Sequence, residues 1–153
     1  MTFTLRPAKS TDANGLTRII DAAYAGYAAR GIELPPVSEG VDEDIAENTV
    51  LIAENAGTVL GGAILMLQCE KAKLANLAVH PDHGGRGIGG ALMHAAVQAA
   101  REAGHATLHL TTHVDMLENV ALYRHLGWTM TSTEGNKVLM MFNLHPDPNG
   151  DTT

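Results

Sequence analysis

The alternation of apolar and polar positions along the chain predicts a mixture of strands and helices. Thr2 to Arg6 alternates polar and apolar residues, which is typical of a half-buried strand. Thr11-Asp12 then offers a helix cap, and apolar residues recur at helical spacing from Leu16 to about Ala29. A loop with two adjacent prolines, residues 31–40, follows. The acidic stretch from Asp42 to Glu47 predicts a short solvated helix.

The rest of the chain continues to switch between strand and helix patterns. Two apolar runs, residues 49–53 and 59–67, flank the turn residues 54–57 and predict a hairpin. The remaining predicted elements are strands at residues 74–79, 107–111 and 137–144, an alanine-rich helix ending near Gly104, and a helix at residues 115–126. This order, which closes on one or two strands, predicts an α/β fold with a mixed sheet and helices on its faces.

Length and composition favour a single domain. The chain has 153 residues, of which 45% are apolar, and this is enough to bury a core. We expect residues 1–145 to form one domain and residues 146–153 to be a polar C-terminal tail. Cys69 is the only cysteine, so no disulfide can form within the chain. Neither a signal-peptide pattern nor an apolar run of the ~20 residues needed to cross a membrane is present, and we expect a cytoplasmic protein.

The charged and histidine residues exclude two kinds of partner. The net charge of −7 argues against a nucleic-acid binder, because phosphate contacts need clustered basic residues. It slightly favours a cationic partner through long-range steering. His105, His109 and His113 recur every four residues, but His109 lies within a predicted strand, so the spacing does not match a helical metal site. We therefore expect no metal.

The segment His83 to Gly90 carries the strongest chemical signal. Five of the seven residues from Gly84 to Gly90 are glycine, so several backbone N–H groups can turn toward one point just where a helix begins. No acidic residue lies between Gly84 and Arg101, and Arg86 adds positive charge. The pattern indicates an anion-binding helix start. The alternatives are a plain glycine turn before a close-packed helix, or a dinucleotide site, although the latter would stand earlier in the chain.

Two segments together resemble the GNAT acyltransferase family. Residues 74–81, 84–89 and Leu92 are similar to its acyl-CoA pyrophosphate motif, and residues 119–128 are similar to its second motif, a helix ending Y-x-x-x-G-aromatic. The two segments lie in the family's order and at its usual distance. The resemblance implies a GNAT-like fold whose mixed central sheet is splayed after the fourth strand. Gly84 departs from the family pattern, which has Gln or Arg there.

The resemblance also implies acetyl-CoA as co-substrate. Leu77 and Val79 would offer backbone groups to the pantetheine arm, and the loop amides would hold the pyrophosphate. Asn119 is a candidate for the pantetheine amides, with a plain surface amide as the alternative. The implied cofactor-binding residues are Leu77, Ala78, Val79, Gly84, Gly85, Arg86, Gly87, Ile88, Gly89, Gly90, Asn119 and Tyr123.

Catalytic roles follow from the same resemblance. Tyr123 matches the family's general acid, although Met116, Val120 and Tyr123 also share a helical stripe that would pack in a core anyway. Ala75 stands where many relatives have a carboxylate base. His113 and Glu118 are the candidate bases, because T-H-x-x-M-x-E-N resembles one branch of the family. A surface role for each of them, or a water relay, stays open.

The acceptor side is the least determined part of the sequence. Tyr24, Tyr27 and Arg30 recur every three residues on the first long helix, and they form either an acceptor wall or an ordinary amphipathic face. The resemblance implies an N-acetyltransferase acting on a primary amine of an unidentified acceptor, by direct attack on the thioester. The alternative is a non-catalytic acyl-CoA-binding sensor. We expect no nucleic-acid or membrane partner, and the choice between monomer and homodimer stays open.

Overall fold

The computed structural model describes residues 2–32, 39–68 and 70–144, which contain seven strands and four α-helices. The strands are β1 (Thr4–Pro7), β2 (Thr49–Asn55), β3 (Thr58–Met66), β4 (Ala72–Val79), β5 (Thr107–His113), β6 (Thr129–Glu134) and β7 (Lys137–Asn143). The helices are α1 (Ala13–Ala29), α2 (Val41–Glu47), α3 (Ile88–Glu102) and α4 (Leu117–His125). Most of the predicted proline loop, Cys69 and the predicted tail at residues 146–153 lie outside the described residues.

The seven strands form one mixed sheet in the order β1-β2-β3-β4-β5-β7-β6. Every neighbouring pair is antiparallel except β4 and β5, which run parallel. The predicted mixed sheet is therefore confirmed, and so is the hairpin of β2 and β3. The sequence did not decide between one and two final strands, because all six residues of β6 are exposed and no buried face marks this strand.

The sheet comes apart between β4 and β5, as the GNAT-like expectation required. The ladder between these strands covers only two residue pairs, Ala72 with Leu108 and Lys73 with His109. Beyond those pairs the strands separate and leave a gap. On the other edge of β4, a register shift between Ile64 and Leu65 leaves Ala75 without a direct partner on β3. Such bulges commonly bend a strand next to an active site.

Helices cover both faces of the sheet. On one face Leu16, Ile19 and Ile20 of α1 pack with Val41 of α2 and with Ile52 and Ile64 of the sheet. On the other face α3 and α4 share a larger core with the strands, contributed by Leu92, Met93, Ala96, Leu108, Leu110, Tyr123, Trp128, Val138 and Met140. The helical spacing of the buried α1 residues is the one that the sequence pattern predicted.

Asp12 precedes α1 but does not cap it through its side chain, contrary to the sequence expectation. Its carboxylate accepts hydrogen bonds from the Arg6 guanidinium, at 2.7 and 2.9 Å, and from the Lys9 backbone N–H at 2.7 Å. The Arg6 hydrogen bonds lower the pKa of Asp12. The residue thus ties the start of α1 to β1. No helix within the described ranges has the length and apolar character needed to cross a membrane.

Candidate active site

Two cavities lie in the gap between β4 and β5. A narrow cavity of about 30 Å³, room for only one or two water molecules, is lined by Tyr123 and Asn119 of α4 and by Tyr24 of α1. A wider cleft of about 430 Å³ lies beside it. The two cavities share Leu74, Ala75, Leu110 and Thr111 as lining residues. They are therefore adjacent parts of one opening, which begins where the β4–β5 ladder stops.

The backbone of β4 presents two residues to this gap. The N–H of His80 donates to the Leu60 carbonyl at 2.9 Å, and a methyl group added at Gly61 would lie 2.7 Å from the Ala78 carbonyl oxygen. Ala78 and His80 thus point their backbone groups at β3. Because backbone groups alternate sides along a strand, those of Leu77 and Val79 point at the gap. They are available to an extended ligand lying beside β4.

The glycine loop places a helix start at the end of β4. Gly87 adopts φ +83° and is the N-cap of α3, and Gly85 has φ +78°, a region that side-chain-bearing residues rarely adopt. The first turn of α3 contains no acidic residue, and its leading N–H groups have no intrahelical partner. The positive end of the helix dipole adds to these donors. The loop therefore has the geometry to hold a phosphate-type anion.

Side chains around the loop complete its surroundings. His80 accepts a hydrogen bond from the Asp82 backbone N–H at 3.1 Å, and Nη1 of Arg86 lies 3.3 Å from Nδ1 of His83. Gly84 contributes only backbone, with its N–H 3.4 Å from the Pro81 carbonyl. The loop can thus offer the Arg86 cation and several amides, but no side chain at the position of the expected Gln or Arg.

Tyr123 is buried in the wall of the narrow cavity. Only 8% of the residue is exposed, and its ring packs 6.1 Å from the ring of Trp128. Burial raises the pKa of the Tyr123 phenol well above its ordinary value, and the nearby phenols of Tyr24 and Tyr27 raise it further. The hydroxyl therefore keeps its proton at neutral pH. A residue in this state can donate a proton to a stronger base.

The α1 side chains that recur every three residues, Tyr24, Tyr27 and Arg30, face β4 and α4. The Tyr24 hydroxyl donates to Oδ1 of Asn76 at 3.4 Å, and the Tyr27 hydroxyl donates to Oδ1 of Asn119 at 3.5 Å. One turn further on, Nη1 of Arg30 pairs with Oε2 of Glu118 at 3.0 Å. The last turns of α1 thus lie along the same opening that holds Tyr123. The structure brings Tyr24, Tyr27, Arg30, Glu118 and Asn119 together.

The two candidate bases occupy different positions from Tyr123. Nδ1 of His113 accepts a hydrogen bond from the Asp115 backbone N–H at 3.0 Å, and the side chain is only 12% exposed. Glu118 is 59% exposed, and its own backbone N–H together with Arg30 lowers the pKa of its carboxyl. Neither residue lines either cavity of the gap. A lowered pKa makes Glu118 a weak base.

His109 lies in the opening, although its place in the sequence was considered only for metal binding. It lines the wider cleft together with Lys73 and Thr111, and its Nε2 lies 3.0 Å from Oγ1 of Thr107. Burial lowers the pKa of His109, and the positive charges of Lys71 and Lys73 lower it further. The signal was present in the sequence as alternation, since Leu108 and Leu110 are buried on the opposite face of β5.

Within the described residues, no group of three or more histidine, cysteine or acidic residues could hold a metal ion. The residues present suit a different ligand. A row of free amides at a helix start, an exposed strand edge and a narrow cavity fit an extended molecule with an anionic end, such as an acyl-CoA.

Comparisons with known proteins agree with this geometry. Residues 17–128 match the model of the acetyltransferase (GNAT) family. The [ribosomal protein bS18]-alanine N-acetyltransferase of Escherichia coli K12 is 30% identical over 94 residues, which span 61% of this chain and 59% of that relative. This chain therefore matches less than two thirds of the relative's length.

Solved structures show the same fold at lower identity. The PaiA N-acetyltransferase of Thermoplasma acidophilum, in complex with coenzyme A, has a TM-score of 0.81 at 21% identity and covers 94% of this chain and 99% of its own. The ribosomal-protein-S18-alanine N-acetyltransferase of Escherichia coli has a TM-score of 0.72 at 20% identity, and the match covers 99% of this chain and 100% of that one. Because the family model matches residues 17–128, most of its length, this chain belongs to the GNAT acetyltransferase family.

Proposed function

We propose that this chain is an N-acetyltransferase that moves the acetyl group of acetyl-CoA to a primary amine. One observation carries the proposal: beyond the Lys73–His109 pair, β4 runs past the narrow cavity lined by the buried Tyr123 and ends just before a helix start whose amides can hold an anion. The coenzyme A in the related Thermoplasma structure supports the choice of ligand. The cytoplasm is the compartment we propose, and fractionation of cells expressing the protein tests it.

The acyl-CoA would lie along β4. Its pyrophosphate would accept hydrogen bonds from the amides of residues 84–90, next to the positive end of the α3 dipole. The pantetheine arm would pair with the free backbone groups of Leu77 and Val79 in the way an added strand pairs with a sheet edge. This arrangement directs the thioester toward the narrow cavity and Tyr123.

The chemistry then needs one attack and two proton transfers. The neutral acceptor amine attacks the thioester carbonyl, and the C–S bond breaks as the tetrahedral adduct collapses. The Tyr123 phenol, which its raised pKa keeps protonated, would donate its proton to the departing sulfur, and the phenolate would then regain a proton from solvent. The proton lost by the amine must reach a base.

Three residues are candidates for that base, and we propose to test them against one another: His113, Glu118 and His109. The ion pair of Glu118 with Arg30 supports a positioning role for Glu118, with Glu118→Gln raising the acceptor's KM. His109 lies in the wider cleft, whereas His113 offers only Nε2, since its Nδ1 already accepts a hydrogen bond. If His113 is the base, His113→Ala should flatten the acid limb of the pH–rate profile, and if His109 is the base, His109→Gln should do so. An acid limb that is unchanged in both variants indicates a water relay.

The alternative of an acyl-CoA-binding sensor has two observations in its favour. Gly84 lacks the expected side chain, and Ala75 at the bulge carries no carboxylate. A release assay for the free CoA thiol, run with acetyl-CoA and a panel of primary amines, decides between the two functions. Amine-dependent thiol release supports the enzyme. Tight binding of acetyl-CoA without release for any amine supports the sensor and overturns our proposal.

A further inference from the structure

The wider cleft has a charge opposite to that of the whole molecule. Lys71 and Lys73 lie on one side of it, and His109, Thr111 and Thr131 lie across from them. None of the described residues that line this cleft is acidic, although Glu70 precedes Lys71 in the chain. The chain carries a net charge of −7 and only four lysines, two of which are placed here.

The two ammonium groups act on the same region. Lys73 lies on β4 and Lys71 directly precedes this strand, and both side chains line the cleft. Burial lowers the pKa of His109, which also lines the cleft, and the charges of both lysines lower it further. Screening limits the reach of more distant charges to about 8 Å at physiological salt, so the local lysines outweigh the net charge inside the cleft.

We propose that this cleft takes an acceptor whose primary amine is accompanied by a carboxylate, held by Lys71 and Lys73 with the amine directed at Ala75 and Thr111. The inference rests on the proposed function, since it names the acceptor class of the same site. The Thr131 hydroxyl is already used, because it donates to the Leu139 carbonyl at 3.1 Å, so the two lysines are the groups that would hold the anion.

The dimensions of the cleft suit a short acceptor. Lys73 and Ala75 are two residues apart on β4, which places them about 7 Å from each other along the strand. The carboxylate and the amine must therefore be separated by no more than about two residues. A volume of about 430 Å³ is at the small end for a ligand pocket. Both a free amino acid and an acidic residue beside a peptide N-terminus meet these requirements.

Isosteric acceptor pairs test the inference by thiol release. L-alanine against L-alaninamide represents the free amino acid, and amidated tripeptides with aspartate or asparagine in second position represent the peptide. We expect kcat/KM to favour the carboxylate member of at least one pair by about tenfold at low salt, and the pair that responds identifies the source. Lys73→Gln should reduce that preference about three- to tenfold through KM, and Lys71→Gln/Lys73→Gln should abolish it.

Lys9→Gln is the matched control, because it removes the same charge from an exposed position outside the cleft and should leave the preference intact. Thiol release without any carboxylate preference, or a preference unchanged in the lysine double variant, overturns this inference while the proposed function stands. Calorimetric titration of the CoA-saturated protein with L-alanine and with the aspartate tripeptide gives a readout that needs no turnover. If either acceptor binds the wild type and this binding is lost in the double variant, the inference is supported. If the wild type and the double variant bind the acceptors equally, or if the wild type binds neither acceptor, the inference is overturned.

Discussion

Tyr123 combines a packing role with the proposed acid role, and the two are separable in one variant. Tyr123→Phe keeps the ring that packs on Trp128 and removes only the hydroxyl, so the free energy of unfolding should change little. The rate constant kcat should fall by roughly 10²–10⁴-fold, the usual contribution of a positioned acid, with the acetyl-CoA Kd unchanged. Thiol release measures kcat, and calorimetry measures the acetyl-CoA Kd. A variant with wild-type kcat would leave Tyr123 as a core residue only.

His109 makes folding stability depend on pH. Its pKa is lowered in the folded protein, so the unfolded chain, with a pKa near 6.5, binds the proton more readily. The stabilising contribution is thus present above pH 6.5 and is lost as the pH falls through the lowered folded value. His109→Gln should flatten this part of the curve, measured by urea unfolding at pH 7.5 and 5.5. The same change at the exposed His125 is the control and should leave the slope intact.

The positions of site residues were predictable from the sequence only where a linear motif carried them. Tyr123 and the glycine loop belong to such motifs. The pairing of Arg30 with Glu118 spans 88 positions, and the contact of Tyr24 with Asn76 spans 52, so neither leaves a local signal. Glu118, one of the two candidate bases, likewise pairs in the structure with a residue that is distant in the sequence.

The start of α3 gives a test at the level of a single element, since two neighbouring glycines have different backbones. Gly87→Ala puts a side chain at φ +83°, which should cost about 1–2 kcal/mol and weaken acetyl-CoA binding by displacing the loop amides. Gly89→Ala places a methyl group 3.7 Å from Val79, an ordinary contact, and should stabilise the helix by up to about 0.5–1 kcal/mol. Urea unfolding and calorimetry measure both effects.

Gly26→Ala is the control for that pair. Gly26 lies in the interior of α1 with open space around it, so alanine should stabilise the protein without changing acetyl-CoA affinity. The assignment of the loop fails if Gly87→Ala, while still folded, binds acetyl-CoA as tightly as the wild type. If Gly89→Ala abolishes binding, the contact of the ligand with α3 is closer than a methyl group allows.

The predictability of the elements follows the strength of their buried faces. α1 and α3 were found because their apolar residues recur at helical spacing against the sheet. β6 lacks this signal, because it pairs only with β7 at the edge of the sheet and all of its side chains are exposed. The predicted start of α4 at residue 115 was two residues early, since the Asp115 N–H donates to His113 rather than beginning the helix.

At the scale of the whole molecule, the sheet consists of two halves that share a core on one face only. Two residue pairs join β4 to β5, while Leu92, Leu108 and Met140 connect the halves beneath α3 and α4. Strand patterns in the sequence predicted both halves but not the gap, because pairing between β4 and β5 depends on long-range packing. The family resemblance supplied that feature.

Acetyl-CoA bound along β4 as proposed would bridge the two halves of the split sheet as well as supply the acetyl group. Acetyl-CoA at 100 times its Kd should stabilise the folded state by about 2.7 kcal/mol, and raise the Tm by roughly 5–10 °C for a chain of this size. Hydrogen exchange should slow at the amides of Leu77 and Val79, which face the gap. The amide of Ala78 faces β3 and should change far less, which makes it an internal control. Equal slowing at all three amides would indicate general stabilisation instead, and the pantetheine arm would then have to lie away from β4.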